Sequence, residues 1–216
     1  MIQNIVSTAF IGHTLDLNLI AQNVVDIVYN PQRFTAAIAR YRNIQVLPGS
    51  RCIKATFLIF SSGKIVCNGV KTIDDSKKAF DKLQNNIQEV YTKSGSSIKI
   101  SIQDFTVQNI VGSTSATHKI DLLALHLAYP NTSRYDEIIF PGLRLCPYNN
   151  DSTTAIIFIS GKFFVTGVKT EKKLFDTINH VRRILLRFKR SYPYETFDYD
   201  RLWFGKDERA ISYKSK

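Results

Sequence analysis

One stretch of fourteen residues occurs twice in this chain. Ile59–Thr72 reads IFSSGKIVCNGVKT, and Ile157–Thr170, 98 positions on, reads IFISGKFFVTGVKT, with nine identities. Gln3-Asn4-Ile5-Val6 returns as Gln108-Asn109-Ile110-Val111 at an offset of 105, and Leu15-Asp16-Leu17 as Ile120-Asp121-Leu122. Tyr29 and Phe34 match Tyr135 and Phe140 at an offset of 106. The offset falls because the first copy carries a longer loop around Asn43–Ile53. A period of this length is a duplicated domain, not a solenoid unit. The chain therefore divides into two repeats, about 1–97 and 98–190, joined at Ser94-Gly95-Ser96-Ser97 and followed by an appended tail, 191–216. Whatever one repeat folds into, the other must be able to form as well.

Each repeat has one order of elements. A strand opens it, Ile2–Ala9 or Ile100–Val111, and a short helix follows with apolar Leu17, Ile20 and Ala21, or Leu122, Leu123 and Leu125. The clearest further strands are Thr56–Phe60 with Lys64–Val70, and Ala155–Ile159 with Lys162–Val168; the Ser-Gly-Lys between each pair reads as a tight hairpin. A long helix closes each repeat. Its apolar stripe is Phe80, Leu83, Ile87 and Val90 in the first, and Leu174, Ile178, Val181, Leu185 and Phe188 in the second. Thr72 and Thr170 are the expected N-caps. Arg187, Lys189 and Arg190 are expected at the negative end of the second helix.

The strands are apolar on both faces. Phe57 and Ile59 point one way and Leu58 and Phe60 the other; Ala155 and Ile157 oppose Ile156 and Phe158 in the same manner, and Ile65 and Cys67 oppose Val66 and Asn68. Two long helices cover one face of an antiparallel sheet. The other, with Val6, Leu58, Phe60, Val66 and their counterparts, needs a ligand, a second sheet or a second copy of the chain.

Charge narrows the ligand. The 216 residues carry 29 Lys and Arg against 18 Asp and Glu, a net charge of +11. The first hundred residues hold +6 of it, residues 101–190 hold +5, and the tail is neutral. An acidic partner is implied, nucleic acid or an anionic surface. No apolar run approaches the roughly 20 residues of a membrane helix, and the start MIQNIVSTAF lacks the basic region of a signal peptide. Cys52, Cys67 and Cys146 have no CxxC spacing and read as buried or free thiols in a reducing compartment. His13, His118, His126 and His180 are scattered, and Ser-Gly-Lys lacks the spacing of a phosphate loop. No catalytic residues, metal ligands or cofactor site are expected, and no enzyme.

QNIVST, LDL, YNPxRF, IFSSGKxVCxG and, in the second repeat, QNIVGS and FPGL stand here in the order found in the TATA-box-binding protein family, which the chain resembles over residues 2–190. The resemblance implies an α+β fold: two pseudo-symmetric repeats forming a saddle-shaped, curved antiparallel sheet with helices on the convex face. Its concave face would lie on a widened minor groove, whose floor is poor in hydrogen-bond groups and suits an apolar reader. By resemblance Asn4 and Asn109 bond base acceptors at the centre of the site. Phe34 with Phe60, and Phe140 with Phe158, wedge between base steps. Val6, Leu58, Val66, Asn68, Val111, Ile156, Phe164 and Thr166 fill the remaining DNA-facing surface. Arg33, Arg40, Arg42, Lys64, Lys71, Lys162 and Lys169 are the candidate phosphate contacts.

This sequence departs from the family pattern in places. Asn68 stands where the first repeat usually has Thr, and Phe164 replaces a small aliphatic. Cys146 takes a position that is commonly Arg, with Arg144 the expected substitute through a shifted register. The resemblance also implies partners. Asp136 and Glu137 fall where transcription factor IIB is contacted, although Ile138 replaces the usual Glu. Lys77, Lys78 and Lys82 resemble the surface used by transcription factor IIA. The tail's SYPYETFDYDRLWF mixes aromatics with acids; one reading folds it back on the concave face as a DNA mimic, and another docks it on the convex side or on a partner.

The expected function is a general transcription initiation factor. It binds TATA-like promoter DNA in the minor groove, bends it by Phe insertion, and recruits other initiation factors and RNA polymerase. Its expected compartment is the nucleus, or a viral replication compartment if virus-encoded. The rival is a protein-interaction platform or decoy with weak or altered DNA binding.

Overall fold

The computed structural model describes residues 1–44, 52–149 and 151–190. The expectations placed on residues 45–51 of the first-repeat loop and on the tail, 191–216, lie outside the described residues. The elements follow the chain as β1 (Ile2–Ile11), α1 (Leu17–Asn23), β2 (Ile27–Val28), β3 (Ala36–Ile44), β4 (Ile53–Phe60), β5 (Lys64–Val70) and α2 (Ile73–Lys93), and then as β6 (Ile102–Ser115), α3 (Leu122–Ala128), β7 (Ser133–Asp136), β8 (Phe140–Leu145), β9 (Thr154–Ile157), β10 (Lys162–Val168) and α4 (Glu171–Leu185). The second series repeats the first, element for element. The strands are hydrogen-bonded into a ten-stranded sheet in the order β2-β3-β4-β5-β1-β6-β10-β9-β8-β7. Among the described residues two compact units emerge from the contacts, one within residues 1–113 with 165–176, the other within 114–164 with 177–190.

Local signals set these elements. Gly63 and Gly161 adopt φ +86° and +88°, and their N–H groups donate to the carbonyls of Phe60 and Phe158 at 2.9 Å. Any Cβ at Gly63 would collide with the carbonyl oxygens of Ile11 and His13, so the hairpin demands glycine. Asp16 caps α1 by accepting from the N–H groups of Asn18 and Leu19, and Asp121 caps α3 through Ala124. The Asp-Leu shared by Leu15-Asp16-Leu17 and Ile120-Asp121-Leu122 is thus a helix start. Thr72 accepts from Asp75 N–H at 3.0 Å, and Thr170 from Lys173 N–H at 3.2 Å, as the N-cap expectation required. The Ser94-Gly95 joint closes α2 with a Schellman motif: Ser96 N–H reaches Tyr91 O, and Gly95 N–H reaches Thr92 O.

In the first unit, α2 takes one face of the sheet. Phe57, Ile59, Ile65, Phe80, Leu83 and Ile87 are fully buried, with Phe57 edge-on to Phe80 at 5.2 Å and to Tyr41 at 5.8 Å. Removing each such side chain from water contributes about 1.5–3 kcal/mol. Leu58, Phe60 and Val66, the alternate residues, stay half-buried on the opposite face.

The core of the second unit is built from Ile120, Leu125, Leu143, Leu145, Ile157, Phe163, Val181 and Leu185. Here the structure corrects one reading. α4 ends at Leu185, so Phe188, Arg187, Lys189 and Arg190 lie beyond it, and the basic residues of its last turn are Arg182 and Arg183. After Leu185 the backbone tightens to i→i+3 bonds, and Lys189 then bridges Ile120. Phe188 continues the three-residue step of the stripe, but its ring packs on Tyr129 at 6.1 Å.

Candidate nucleic-acid interface

The duplicated Gln-Asn-Ile-Val segments meet each other. β1 and β6 are antiparallel, with Asn4 opposite Val111, Ile5 opposite Ile110, and Val6 opposite Asn109. Both isoleucines are fully buried. The asparagines and valines, of the opposite parity, are half-buried on the open face.

Each asparagine is then fixed by a glycine. Asn4 Oδ1 accepts from Gly69 N–H at 2.8 Å, and Asn109 Oδ1 accepts from Gly167 N–H at 2.8 Å. Both glycines are left-handed, with φ +96° and +84°, and Gly69 sits where the β1–β5 register shifts between Ile5 and Ser7. The amide oxygen is engaged inside the sheet, which orients each side chain. Asn109 is held further, because its Nδ2 donates to Thr166 Oγ1 at 3.0 Å. Asn68, the counterpart of Thr166, is exposed and makes no such bond to Asn4 among the described residues. The two glycines are recoverable from the repeated Gly-Val-Lys-Thr, but their role is not readable from it.

Around this centre the first unit lays out apolar rows. Ile38 stands opposite Leu58, Leu58 opposite Val66, and Val66 opposite Thr8. Ile38 and Thr8 extend the open face beyond the residues expected from sequence. Arg40 stands opposite Thr56, and Thr56 opposite Asn68, which places Arg40 and, by parity, Lys54 on the same face, while Arg42 is exposed where the β3–β4 register shifts between Tyr41 and Ile44. In the second unit Arg144 is paired in register with Ile156. It occupies the position that Ile38 holds beside Leu58, so no register shift brings it to the place of Cys146, whose N–H donates to Thr132 O.

The four phenylalanines form two pairs. Phe34 and Phe60 meet edge-on at 6.4 Å, and Phe140 and Phe158 at 5.9 Å. An Asx turn presents the first ring of each pair. Asn30 Oδ1 accepts from Gln32 N–H, and Asp136 Oδ1 accepts from the N–H groups of Ile138 and Ile139. The pairs differ in depth. Phe34 is 42% exposed and Phe60 half-buried, whereas Phe158 is only 3% exposed. Phe164, at the position of Val66, adds a third ring edge-on to Phe158 at 6.2 Å.

The charged residues surround these features. Arg33 precedes Phe34, Lys64 and Lys162 follow the hairpin glycines, and Lys71 and Lys169 precede the helix caps; all are exposed. Lys77 lies over the Phe105 ring at 5.8 Å and Lys78 pairs with Asp74 at 2.6 Å, while Lys82 is exposed. Asp136 holds its own turn through Oδ1, and both Asp136 and Glu137 are exposed. Ile138 and Ile139 are 93% and 78% exposed. Burial pushes the Cys67 thiol up to about 12, against hydrogen bonds from Ser76 and Ser7. Among the described residues no group of three or more His, Cys, Asp or Glu could hold a metal, and no helix is long and apolar enough to cross a membrane.

Outward amide donors set among aliphatic side chains, with wedge-shaped rings and exposed cations, complement a surface that offers acceptors and little else. An A·T-rich minor groove is such a surface, since G·C pairs add an N2 donor there.

A family model described as "Transcription factor TFIID (or TATA-binding protein, TBP)" matches residues 1–90 and 104–188. A TATA-box-binding protein of Tetrahymena thermophila is 36% identical over 198 residues, which are 92% of this chain and 72% of the relative. One from Dictyostelium discoideum is 36% identical over 189 residues, 88% of this chain and 84% of the relative. One from Drosophila melanogaster is 37% identical, and there the match spans 49% of the relative's length. Among solved structures, Methanococcus jannaschii TBP aligns with a TM-score of 0.68 at 25% identity, covering 86% of this chain and 97% of that one.

Proposed function

The chain belongs to the TATA-box-binding protein family, a family of general transcription initiation factors, and we propose that it grips promoter DNA in the minor groove through the open sheet faces of its repeats. The observation that carries this reading is the fixed orientation of Asn4 and Asn109. Each glycine N–H holds the amide oxygen, so the side-chain amides turn their donors towards adenine N3 and thymine O2. Val6, Leu58, Val66, Val111, Ile156 and Phe164 supply the apolar contact beside them. The Phe pairs press on base steps at the ends of the site, and opening a step costs a few kcal/mol that the bent duplex offsets with added contact. The cations Arg33, Arg40, Arg42, Lys64, Lys71, Lys162 and Lys169 neutralise phosphates.

The bound complex is offered to other initiation factors and RNA polymerase. Asp136 and Glu137, exposed at their Asx turn, support a transcription factor IIB-like contact, and Lys82, with Lys77 and Lys78 beside it, a IIA-like one. The eukaryotic relatives support a nuclear location. The duplication into 1–97 and 98–190, with 191–216 appended, belongs to the same reading, and no catalytic step does.

Anisotropy titrations on A·T-rich and G·C-rich duplexes at several salt concentrations test it. Tighter binding to A·T is expected, with affinity falling ~10³-fold or more between 50 and 200 mM salt if about six phosphates are neutralised. A protein that binds no duplex at low salt would instead be the interaction platform, a reading favoured by exposed Ile138 and Ile139.

A further inference from the structure

The two Phe pairs stand at equivalent repeat positions but in different seats. In the first repeat Ala36 lies opposite Phe60, and Val66 stands beside Leu58. Phe60 is half-buried and Phe34 is exposed. In the second repeat Gly142 takes the place of Ala36 and Phe164 that of Val66. A Cβ at Gly142 would fall 2.6 Å from a Phe140 ring atom and 3.1 Å from both Ile156 and Phe158. The missing methyl is the space into which the rings have settled. Phe164 closes the side, edge-on to Phe158, while Phe140 packs on its other partner edge. Phe158 is consequently recessed and held by two rings, Phe140 and Phe164, where Phe60 meets one, Phe34, among the described residues, so moving Phe158 into a base step disturbs one ring contact more.

We propose that Phe164, seated with Gly142, makes the second repeat the weaker wedge, so that the protein demands a deformable base step at the first-repeat end of its site and tolerates a stiff one at the other. Pyrimidine–purine steps unstack readily and A-tracts resist, so an unequal pair of wedges reads DNA with a direction. The open first-repeat pair takes the flexible step. The second repeat instead lays a broad ring surface, Phe158 with Phe164, on sugars and base edges without full insertion. The inference rests on the minor-groove reading above and concerns only how the two ends share the deformation.

The test uses the full chain and A·T-only duplexes that carry no TA step, one TA step, or two with their spacing scanned. The first step is expected to raise affinity about tenfold, because the protein turns to place Phe34 and Phe60 on it. The second is expected to add no more than the statistical factor of about two for the two orientations. Phe164→Val, which gives the second repeat the residue of the first, should enlarge the gain from the second step. Val66→Phe should shrink the gain from the first. Circular dichroism and a urea midpoint check that each variant is folded, and the wild-type series stands without any variant. Equal gains from both steps in the wild-type protein overturn the inference while leaving minor-groove binding intact, and so does an unchanged second-step gain in folded Phe164→Val. No binding to any of these duplexes at low salt overturns the function reading itself, and this inference with it.

Discussion

The two repeats share an order of elements and differ in how they fill it. Under α2, Ser7 and Ser76 share a buried hydrogen bond of 2.6 Å beside the buried Cys67 thiol. At the equivalent positions the second repeat has Gly112, Leu174 and Val165. Leu174 now occupies the space, so closely that a Cβ on Gly112 would lie 2.8 Å from one of its methyl carbons. A similar exchange links Phe57 and Ile65 of the first repeat with Ala155 and Phe163 of the second: the large ring has moved from one strand to its neighbour. What duplication conserved is the volume under the helix and the parity of the strands, not the residues. The open face follows the same rule at Phe164 and Gly142, with the difference that there the change alters what a ligand meets.

Exchanging residues between repeats breaks this comparison where the volumes are coupled. Phe57→Ala gives the first repeat the residue of the second and should cost about 3–5 kcal/mol, read from urea unfolding. Adding Ile65→Phe should recover part of that loss. Independent, additive effects would show that the ring positions are not exchanged volume.

Gly112→Ser places a side chain against Leu174 and should cost about 1–3 kcal/mol. Leu174→Ser in the same chain rebuilds the hydroxyl pair of the first repeat and should restore most of the stability. A double-mutant cycle with no coupling would contradict the reciprocal packing.

On the open face, Asn68→Thr gives Asn4 the partner that Thr166 provides to Asn109. Affinity for an A·T duplex should rise a few-fold, on the order of 0.5–1 kcal/mol for one added hydrogen bond that holds the amide. An unchanged affinity would mean that Gly69 N–H alone orients Asn4.

The smallest effect at neutral pH is expected of Cys67→Val. Native Cys67 titrates near 12 against an ordinary 9.0 because burial disfavours the thiolate. The folded state keeps a proton that the unfolded chain releases, so this stabilisation is intact below about pH 9 and is lost as pH rises towards 12. Val165 at the matching position has no such dependence. Cys67→Val should therefore flatten the alkaline loss of stability from pH 9. It should leave the part due to Tyr41, which burial raises from 10.0 to about 12. A pH–stability profile identical to wild type would place the alkaline titration elsewhere.

Much of the fold and part of the site could be read from sequence. β5 and β10 begin and end where their patterns do, and the stripe Phe80, Leu83, Ile87 and Val90 is buried as spaced. The end of α4 could not be read, because Phe188 satisfies the same three-residue step whether the backbone stays helical or turns away. Nor could the turn that Asp136 makes, whose Oδ1 holds the N–H groups two and three residues on. Arg144 likewise faces Ile156 because strand pairing fixes it there.

The sequence by itself determined the duplication, the two-faced strands, the hairpin glycines, the helix caps and the paired asparagines. These are set by neighbours a few residues away, and each is written in the chain twice. Only the tertiary structure decided which end of each asparagine amide faces outward, and how deep each Phe pair sits. The first depends on a glycine N–H 65 residues from Asn4 and 58 from Asn109. The second depends on whether a methyl or a hydrogen lies beneath the rings, on a neighbouring strand. Both are contacts between residues far apart in the chain, and those contacts exist only once the strands have paired.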